Sequence, residues 1–377
     1  MESTNQQKTV LVAGHICLDI IPDLSMGKSL GELKPGSLSV IGAVQTATGG
    51  VVSNTGLALH RLGQPVRLSA KIGDDEFGAL IRNKFESIDA GLGKDFILDQ
   101  QTNTSYSLVL SPGSLDRHFL HHPGANDTLL SNDLPDQAFA GVDLMHFGYP
   151  PLLAAMVANE GAELEALLKR SRAAGTLNSL DMASVDPNSA VGKLDWPTIL
   201  KRTLPNVDLF IPSLDEIAFM LGESVDNEVP RLEELRHVAQ RLLDYGAGMV
   251  GLKLGEFGIY FKTSDQIEKL TGLEKLGQSP HEWQDLEMMQ PCFQVDVIGT
   301  TGAGDCTIAG FIAALCRGVN PTSCLEIACG VGACNVEAAD AHSGLLSWDE
   351  TLDRIQQGWA LNDNRIMEWN PRNETCD

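Results

Sequence analysis

The chain has 377 residues, of which 43% are hydrophobic and 20% charged, a composition that supports a large globular core. Its 50 acidic and 27 basic side chains give a formal net charge of -23, which opposes binding to a polyanion such as nucleic acid. A small phosphorylated ligand is not excluded, because a helix amino terminus can bind an anion within an acidic protein.

The amino-terminal residues and the cysteines indicate the compartment. The sequence has no run of eighteen apolar residues, so we expect no membrane span. Residues 1–8 are polar and lack the apolar core of a signal peptide. The eight cysteines show no C-x-x-C spacing, and Cys324, Cys329 and Cys334 fall within one apolar helical stretch. We therefore expect a reduced, cytoplasmic compartment.

Short apolar runs alternate with helical patterns along the chain. Strands are predicted at 9–14, 66–72, 143–147, 176–180, 207–211 and 249–254. Helices are predicted at 51–62, 76–88, 152–174, 213–221, 231–245 and 347–357, and another helix follows Gly304 and ends at Gly318. This alternation predicts a mostly parallel sheet with helices on both faces, whose sites lie at the carboxyl ends of the strands.

Three regions depart from the alternation. Residues 16–48 contain several glycines and prolines, and residues 103–122 indicate two strands joined by a turn at 111–114 (SPGS). Extended segments inserted in this way predict a small separate sheet that covers the site as a lid. Residues 263–290 are polar and predict a surface excursion of mixed helix and loop.

The glycine-rich stretch 299–306 (GTTGAGDC) has nearly the spacing of a phosphate-binding loop. Asp305 stands where such a loop has its lysine, and Cys306 where it has a magnesium-binding hydroxyl. Since a helical pattern follows, the backbone N–H groups of Gly302, Ala303 and Gly304 can hold an anion at a helix amino terminus.

A carboxylate beside an anion site has two explanations. Asp305 could simply be a favourable residue of the first helical turn. Alternatively, Asp305 could face a hydroxyl and act as a base. It would then take the proton of an attacking alcohol while the N–H groups stabilise a transferring phosphoryl group.

The run TTGAGDCTIAGFIAAL resembles the second signature of the ribokinase-like (PfkB) carbohydrate kinases, D-T-x-G-A-G-D followed by a helix. Other segments resemble this family in the same order along the chain: VLVAGHICLDIIP, TGGVVSNTGLALHRLG, KIGDDEFG, HHPGANDTL and GLKLGEFGIY. The resemblance implies a ribokinase-like three-layer α/β/α domain at 9–350. The small β lid would come from about 16–48 and 103–122, with polar tails at 1–8 and 359–377.

The resemblance implies that Asp305 is the catalytic base and that the amides of Gly302, Ala303 and Gly304 form the anion hole. The substrate residues that it implies are Asp19, Gly49, Gly50 and Asn54. A carboxylate accepts hydrogen bonds from sugar hydroxyls, an amide donates and accepts them, and a glycine pair allows close backbone approach. Each residue also has a structural explanation, as a turn residue or a helix cap.

For the nucleotide, the resemblance implies ATP and Mg²⁺, with contacts from Gly255, Gly258 and Thr301. Glu216 matches a family glutamate that supports magnesium, although Ser213 replaces the usual asparagine and S-x-x-E is also a helix capping box. Gly299 replaces an aspartate near a monovalent cation in relatives, so potassium activation is doubtful.

His118, His121 and His122 form the last cluster in the sequence that suggests a ligand. No cysteine or paired carboxylate completes a zinc set with them, so we expect contacts to the substrate or to a partner's lid.

We therefore predict an ATP-dependent kinase that phosphorylates a hydroxyl of a small sugar or sugar-like molecule, with a possible homodimer through the lid. Two alternatives remain open at this point. One is a nucleoside kinase of the same fold, with Tyr149 or Phe147 as an aromatic wall. The other is a ligand-binding regulator that has lost the chemistry.

Overall fold

The structure is a computed structural model that describes residues 7–25, 35–110, 118–226 and 229–362. The strands are β1 (Val10–Gly14), β2 (Cys17–Pro22), β3 (Val44–Gly49), β4 (Val66–Ser69), β5 (Lys71–Gly73), β6 (Ile97–Asp99), β7 (Tyr106–Leu110), β8 (His118–His122), β9 (Leu144–Gly148), β10 (Leu177–Asp181), β11 (Leu209–Phe210), β12 (Met249–Lys253), β13 (Ile259–Thr263) and β14 (Glu287–Gln290). The helices are α1 (Val51–Arg61), α2 (Glu76–Ile88), α3 (Ala154–Ala173), α4 (Trp196–Thr203), α5 (Leu214–Leu221), α6 (Leu232–Asp244), α7 (Ala303–Cys316), α8 (Pro321–Val336) and α9 (Trp348–Gln356).

The central sheet has the order β14-β13-β12-β11-β10-β9-β1-β4. Six neighbouring strands, β4, β1, β9, β10, β11 and β12, pair in parallel. Strands β13 and β14 add two antiparallel pairings at one edge. All the parallel strands therefore deliver their last residues to the same edge of the sheet, which is where sites form in this architecture.

Strand β1 shows how the sheet separates two hydrophobic cores. Val10 and Val12 belong to one core, together with residues of α1, α2, α7 and α8. Leu11 and Ala13 belong to the other, together with residues of α3, α4, α5 and α6. Since successive side chains of a strand point to opposite faces, helices cover both faces of the sheet, and the predicted three-layer fold is confirmed.

A separate four-stranded sheet, which we call the small sheet, has the order β3-β2-β7-β8. Its strands come from the two regions that the sequence set apart, 16–48 and 103–122. The predicted turn at 111–114 and most of the predicted tails, 1–6 and 363–377, lie outside the described residues. The function of the small sheet as a lid stays a prediction.

Two local predictions were wrong. The strand predicted at 66–72 is two strands, because β4 joins the central sheet whereas β5 pairs with β6. The stretch 263–290 is not a surface excursion. Its short helical segments, such as Thr271–Leu276, place Trp283 fully inside a core, and the stretch ends in the edge strand β14. The stretch is mostly polar, but a few large apolar residues anchor it in the core.

Trp283→Ala should destabilise the fold, because its ring packs edge-on against Phe261 and Phe311, with centroids 6.2 Å and 6.1 Å away. We expect a loss of about 3–5 kcal/mol in unfolding free energy, measured by urea denaturation. His281→Ala, at an exposed position two residues earlier, is the control and should change little. An equal effect of the two variants would contradict the buried placement of this stretch.

Candidate active site

The glycine-rich stretch lies where the sequence predicted it, at the amino terminus of α7. Gly302 precedes the helix with a left-handed backbone (φ 76), and a Cβ there would lie 2.8 Å from Cβ of Ala341. Glycine is therefore required at this position. Cys306 is fully buried within α7, so its thiol does not take the place of the magnesium-binding hydroxyl of a phosphate-binding loop.

The carboxylate of Asp305 is 4% exposed and accepts three hydrogen bonds. Asn54 Nδ2 donates to Oδ2 at 3.0 Å, and Thr55 Oγ1 donates to Oδ1 at 3.1 Å. The hydroxyl of Tyr149 donates to Oδ2 at 2.6 Å. An ionised carboxylate offers about four acceptor positions, so one position remains, on the oxygen that faces Thr55. This arrangement fixes the carboxylate and leaves one acceptor position unused by the donors described.

Tyr149 and Thr55 are site residues that the motifs did not identify. Tyr149 follows β9 in a left-handed backbone conformation (φ 64), which is unusual for a bulky residue. Burial, and after it Asp305, raises the pKa of Tyr149 well above its usual value, so the hydroxyl stays protonated and donates. Phe147, the other candidate for an aromatic wall, lies instead in the core on one face of the sheet.

The four predicted substrate residues are neighbours and form a group that we call the substrate path. Its last member, Asn54, contacts Asp305. Cys17 of β2 pairs with Gly49 of β3, which sets Asp19 beside the glycine pair. A Cβ on Gly49 would lie 2.6 Å from Asp19 Oδ2, so the glycine makes room for this carboxylate. Asn54, in the first turns of α1, then joins this region to Asp305 through its amide.

His15 lies beside the same path and was not predicted as a site residue. Its ring is 2% exposed, and within the described residues neither ring nitrogen has a hydrogen-bond partner. The ring centroid lies 5.4 Å from that of His121 and 6.0 Å from that of Tyr149. Burial, and after it His121, lowers the pKa of His15 to about 3, so the ring is neutral at physiological pH. Buried polar atoms usually have partners, and a substrate hydroxyl would supply one.

The other histidines of the small sheet do not assemble a metal centre. His121 Nδ1 lies 3.0 Å from Ser107 Oγ, and the ring of His122 packs against Tyr106. In the parts of the chain that the structure describes, no three His, Cys, Asp or Glu side chains are grouped so as to hold a metal ion.

Lys253 and Asp181 form a buried ion pair at the same edge of the sheet. They are the last residues of β12 and β10, and Nζ of Lys253 lies 2.8 Å from Oδ1 of Asp181. Burial alone would lower the pKa of Lys253, but Asp181, Glu216 and Asp305 outweigh it and raise that pKa. Burial also raises the pKa of Asp181, while the ammonium of Lys253 opposes this rise.

Two of the three predicted nucleotide residues follow Lys253 closely in the chain. Gly255 and Gly258 form the turn after β12, both with positive φ, and a Cβ on Gly258 would lie 2.0 Å from the carbonyl oxygen of Gln290. Close packing of the backbone therefore explains Gly258. Thr301 lies exposed in the loop before α7.

Glu216 makes the capping contact that its sequence pattern indicated. One oxygen of its carboxylate accepts from the Ser213 N–H at 3.0 Å. Ser213 in turn forms a parallel backbone bridge with Lys253, which brings the start of α5 beside the ion pair.

Gly299 leaves little room for a side chain. A Cβ there would lie 2.9 Å from the carbonyl oxygen of Ala338 and 3.0 Å from that of Ala339. Any larger residue at this position would require this backbone to shift, which explains the glycine, and the doubt about potassium activation stays an untested prediction.

A model of the pfkB family carbohydrate kinases matches residues 7–348 of the chain. The chain belongs to this family. An uncharacterized sugar kinase of Archaeoglobus fulgidus is 25% identical over 289 residues, which are 77% of this chain and 98% of that protein. Probable fructokinase-7 of Arabidopsis thaliana is 25% identical over 327 residues, which are 84% of this chain and 81% of that protein.

Solved structures agree on the fold. A fructokinase with bound ATP from Xylella fastidiosa matches with a TM-score of 0.70 and 19% identity, over 93% of this chain and 99% of that one. A ribokinase from Thermotoga maritima matches with a TM-score of 0.69 at the same identity and coverage. At such identity, these likenesses show the fold alone.

The family, the fold and the activity of a carbohydrate kinase are thus confirmed, and a kinase of this family implies ATP as the donor. Among the residues described here, no helix is both long and apolar enough to cross a membrane. The site roles, magnesium, the cytoplasmic location and the dimer through the small sheet stay predictions.

Gly302→Ala should reduce turnover about 10²-fold, because the new methyl group meets Ala341 and displaces the loop that carries the anion-binding amides. Steady-state kinetics with an accepted sugar measures this loss.

Gly318→Ala is the matched control for that variant. Gly318 follows α7 with the same φ of 76, and nothing lies within 4 Å of its Cβ position. Both variants carry the cost of a left-handed alanine, roughly 1–2 kcal/mol. Only Gly302→Ala should lose turnover, and equal turnover in the two variants would contradict the role of the loop.

Proposed function

We propose that the chain transfers the γ-phosphoryl group of ATP to a hydroxyl, typically primary, of a small sugar or sugar-like molecule, with Asp305 as the general base. One observation carries this proposal. The carboxylate of Asp305 is held by three donors at the start of α7, directly after the amides of Gly302, Ala303 and Gly304. A base and an anion hole at one helix terminus are the two groups that phosphoryl transfer to an alcohol requires.

The step follows from this arrangement. The acceptor hydroxyl donates to the remaining acceptor position of Asp305, on the oxygen that faces Thr55. The oxygen of the acceptor hydroxyl forms a bond to the γ-phosphorus. The bond from that phosphorus to the β,γ-bridging oxygen breaks, and the electron pair of this bond leaves with ADP. The hydroxyl proton passes to Asp305 and then to solvent. The amides of Gly302 and Gly304 stabilise the charge on the equatorial oxygens. The third predicted amide, that of Ala303, already donates to the carbonyl of Thr300 at 3.2 Å.

The substrate path supports a hydroxyl-rich acceptor. Asp19 accepts hydrogen bonds, Asn54 donates and accepts them, and a neutral His15 offers one donor and one acceptor in a buried setting. Such a set suits a molecule that presents several hydroxyl groups at fixed spacing.

The small sheet would act as a lid over this path. It supplies Asp19 from β2 and His121 from β8, so substrate contacts and closure are coupled in one element. Exclusion of water by such a lid limits hydrolysis of ATP.

The protein would supply few direct ligands to magnesium, because no group of described His, Cys, Asp or Glu side chains is arranged to hold a metal ion by itself. Mg²⁺ prefers oxygen ligands and keeps several waters, so Glu216 would hold it through water while the phosphates of ATP supply the other ligands. The bound ion would neutralise charge on the phosphates.

The two alternatives gain no specific support. Phe147 is in the core, so it provides no wall for a nucleobase, and no observation favours the ring of Tyr149 in that role. A silent regulator would have no need of a buried carboxylate fixed by three donors beside an anion hole.

Asp305→Asn should lose about 10²–10⁴-fold in turnover while ATP still binds, because the variant keeps the shape of the site and removes the base. The measurement is coupled ADP release with magnesium-ATP across pentoses, hexoses, keto-deoxy sugar acids, inositols and nucleosides, with and without potassium. Calorimetry measures ATP binding.

Asp349→Asn is the control, because Asp349 is also an acidic residue in the first turn of a helix but lies exposed at α9. The Asp349→Asn variant should keep the turnover of the wild type. Near-normal turnover in Asp305→Asn would overturn the assignment of the base. ATP binding without turnover of any acceptor would instead favour the regulator.

A further inference from the structure

We propose that Lys253 is a further catalytic residue, which supplies to the transferring phosphoryl group the positive charge that the glycine-rich loop lacks in its own sequence. The proposal rests on the function proposed above. In a phosphate-binding loop of the G-x-x-x-x-G-K type, the lysine follows the last glycine and reaches the phosphates. Here that position is Asp305, and the lysine comes instead from a strand of the central sheet.

The placement of Lys253 follows from the sheet. As the last residue of β12, it lies at the carboxyl edge, where the parallel strands end. Its backbone N–H donates to the carbonyl of Pro212 at 3.0 Å, which anchors it beside the start of α5. The side chain is only 11% exposed and extends over the amino terminus of α7.

Gly304 shows how close this approach is. A Cβ on Gly304 would lie 3.3 Å from Nζ of Lys253, 3.4 Å from its Cδ and 3.5 Å from its Cε. The ammonium group therefore lies against the backbone of a residue whose amide belongs to the anion hole. An anion bound by those amides would lie within reach of the ammonium group.

The charges around Lys253 favour a role beyond structure. Asp181 contacts its ammonium group at 2.8 Å, and Asp181, Glu216 and Asp305 all favour the charged form of Lys253. An incoming triphosphate would be repelled by this group of acids if no cation faced it. Lys253 provides that cation beside the anion hole, where a buried charge acts more strongly than it would in water.

Asp181 positions the ammonium group instead of merely neutralising it. A buried ion pair adds little stability compared with apolar residues of the same volume, so stability alone does not explain the pair. An ammonium group has three donors, and the contact with Asp181 at 2.8 Å uses one. The remaining donors can reach phosphoryl oxygens as the charge on them develops.

The decisive variants are Lys253→Met alone and Lys253→Met combined with Asp181→Asn. The single variant leaves Asp181 buried without its partner and should lower both the melting temperature and turnover. The double variant removes both charges at nearly constant volume, and should regain melting temperature.

Turnover distinguishes a catalytic role of Lys253 from a purely structural one. If Lys253 acts on the phosphoryl group, the double variant should stay about 10²–10³-fold below the wild type in kcat, a loss typical of one electrostatic contact to the transition state. Lys262→Met, which changes a half-buried lysine of β13 outside the site, should keep normal turnover. Recovery of the double variant to within about threefold of the wild-type kcat would overturn the proposal.

Binding provides a second readout that does not depend on the acceptor. Calorimetry with ATP and ADP should show that the double variant loses more affinity for ATP than for ADP, because the ammonium group faces the γ-phosphoryl group. If the wild type phosphorylated no sugar of the panel, the proposed function would fail. The ratio of ATP to ADP affinity would still test whether Lys253 acts on the γ-phosphoryl group. An unchanged ratio in the double variant would overturn that assignment.

Discussion

The hydrogen bonds from Asn54 and Thr55 to Asp305 connect two helix amino termini that lie about 250 residues apart in the chain. Helix α1 begins at the glycine pair beside Asp19, and α7 begins at the glycine-rich loop, so these two bonds join the acceptor side of the site to the phosphoryl side. The central sheet places both helices against the same core. The geometry of the proposed reaction therefore depends on one buried carboxylate and its donors.

Charge balance is the second constraint. A strongly acidic protein that handles ATP must confine positive charge to the point where the phosphates bind. The helix amino terminus of α7 supplies amide dipoles, and the last residue of β12 supplies an ammonium group that Asp181 holds in place. Asp305 can then lie beside an anion site, because the ammonium group offsets its charge and Asn54, Thr55 and Tyr149 hold its oxygens.

Much of the fold could be predicted because its signals are local. Helix α2 has the bounds, 76–88, that its periodicity predicted, and the glycines of α7 lie where their spacing placed them. The stretch around Trp283 could not be predicted, because its few apolar anchors are separated by polar residues and find partners only in tertiary structure. The roles proposed for Lys253, Tyr149 and His15 could not be predicted either, although Tyr149 was named as a possible aromatic wall and the other two lie in segments that resemble the family. Each is an ordinary residue at a strand end, and only the alignment of parallel strands brings it to the site.

The most direct test of the account is a crystal structure of the chain with ADP, magnesium, aluminium fluoride and an accepted sugar. The account predicts that the acceptor hydroxyl lies within hydrogen-bond distance of the Asp305 oxygen that faces Thr55, and that the fluoride group contacts the amides of Gly302 and Gly304. An Asp305 carboxylate that coordinates the metal ion, or an acceptor hydroxyl bound to a different base, would contradict it.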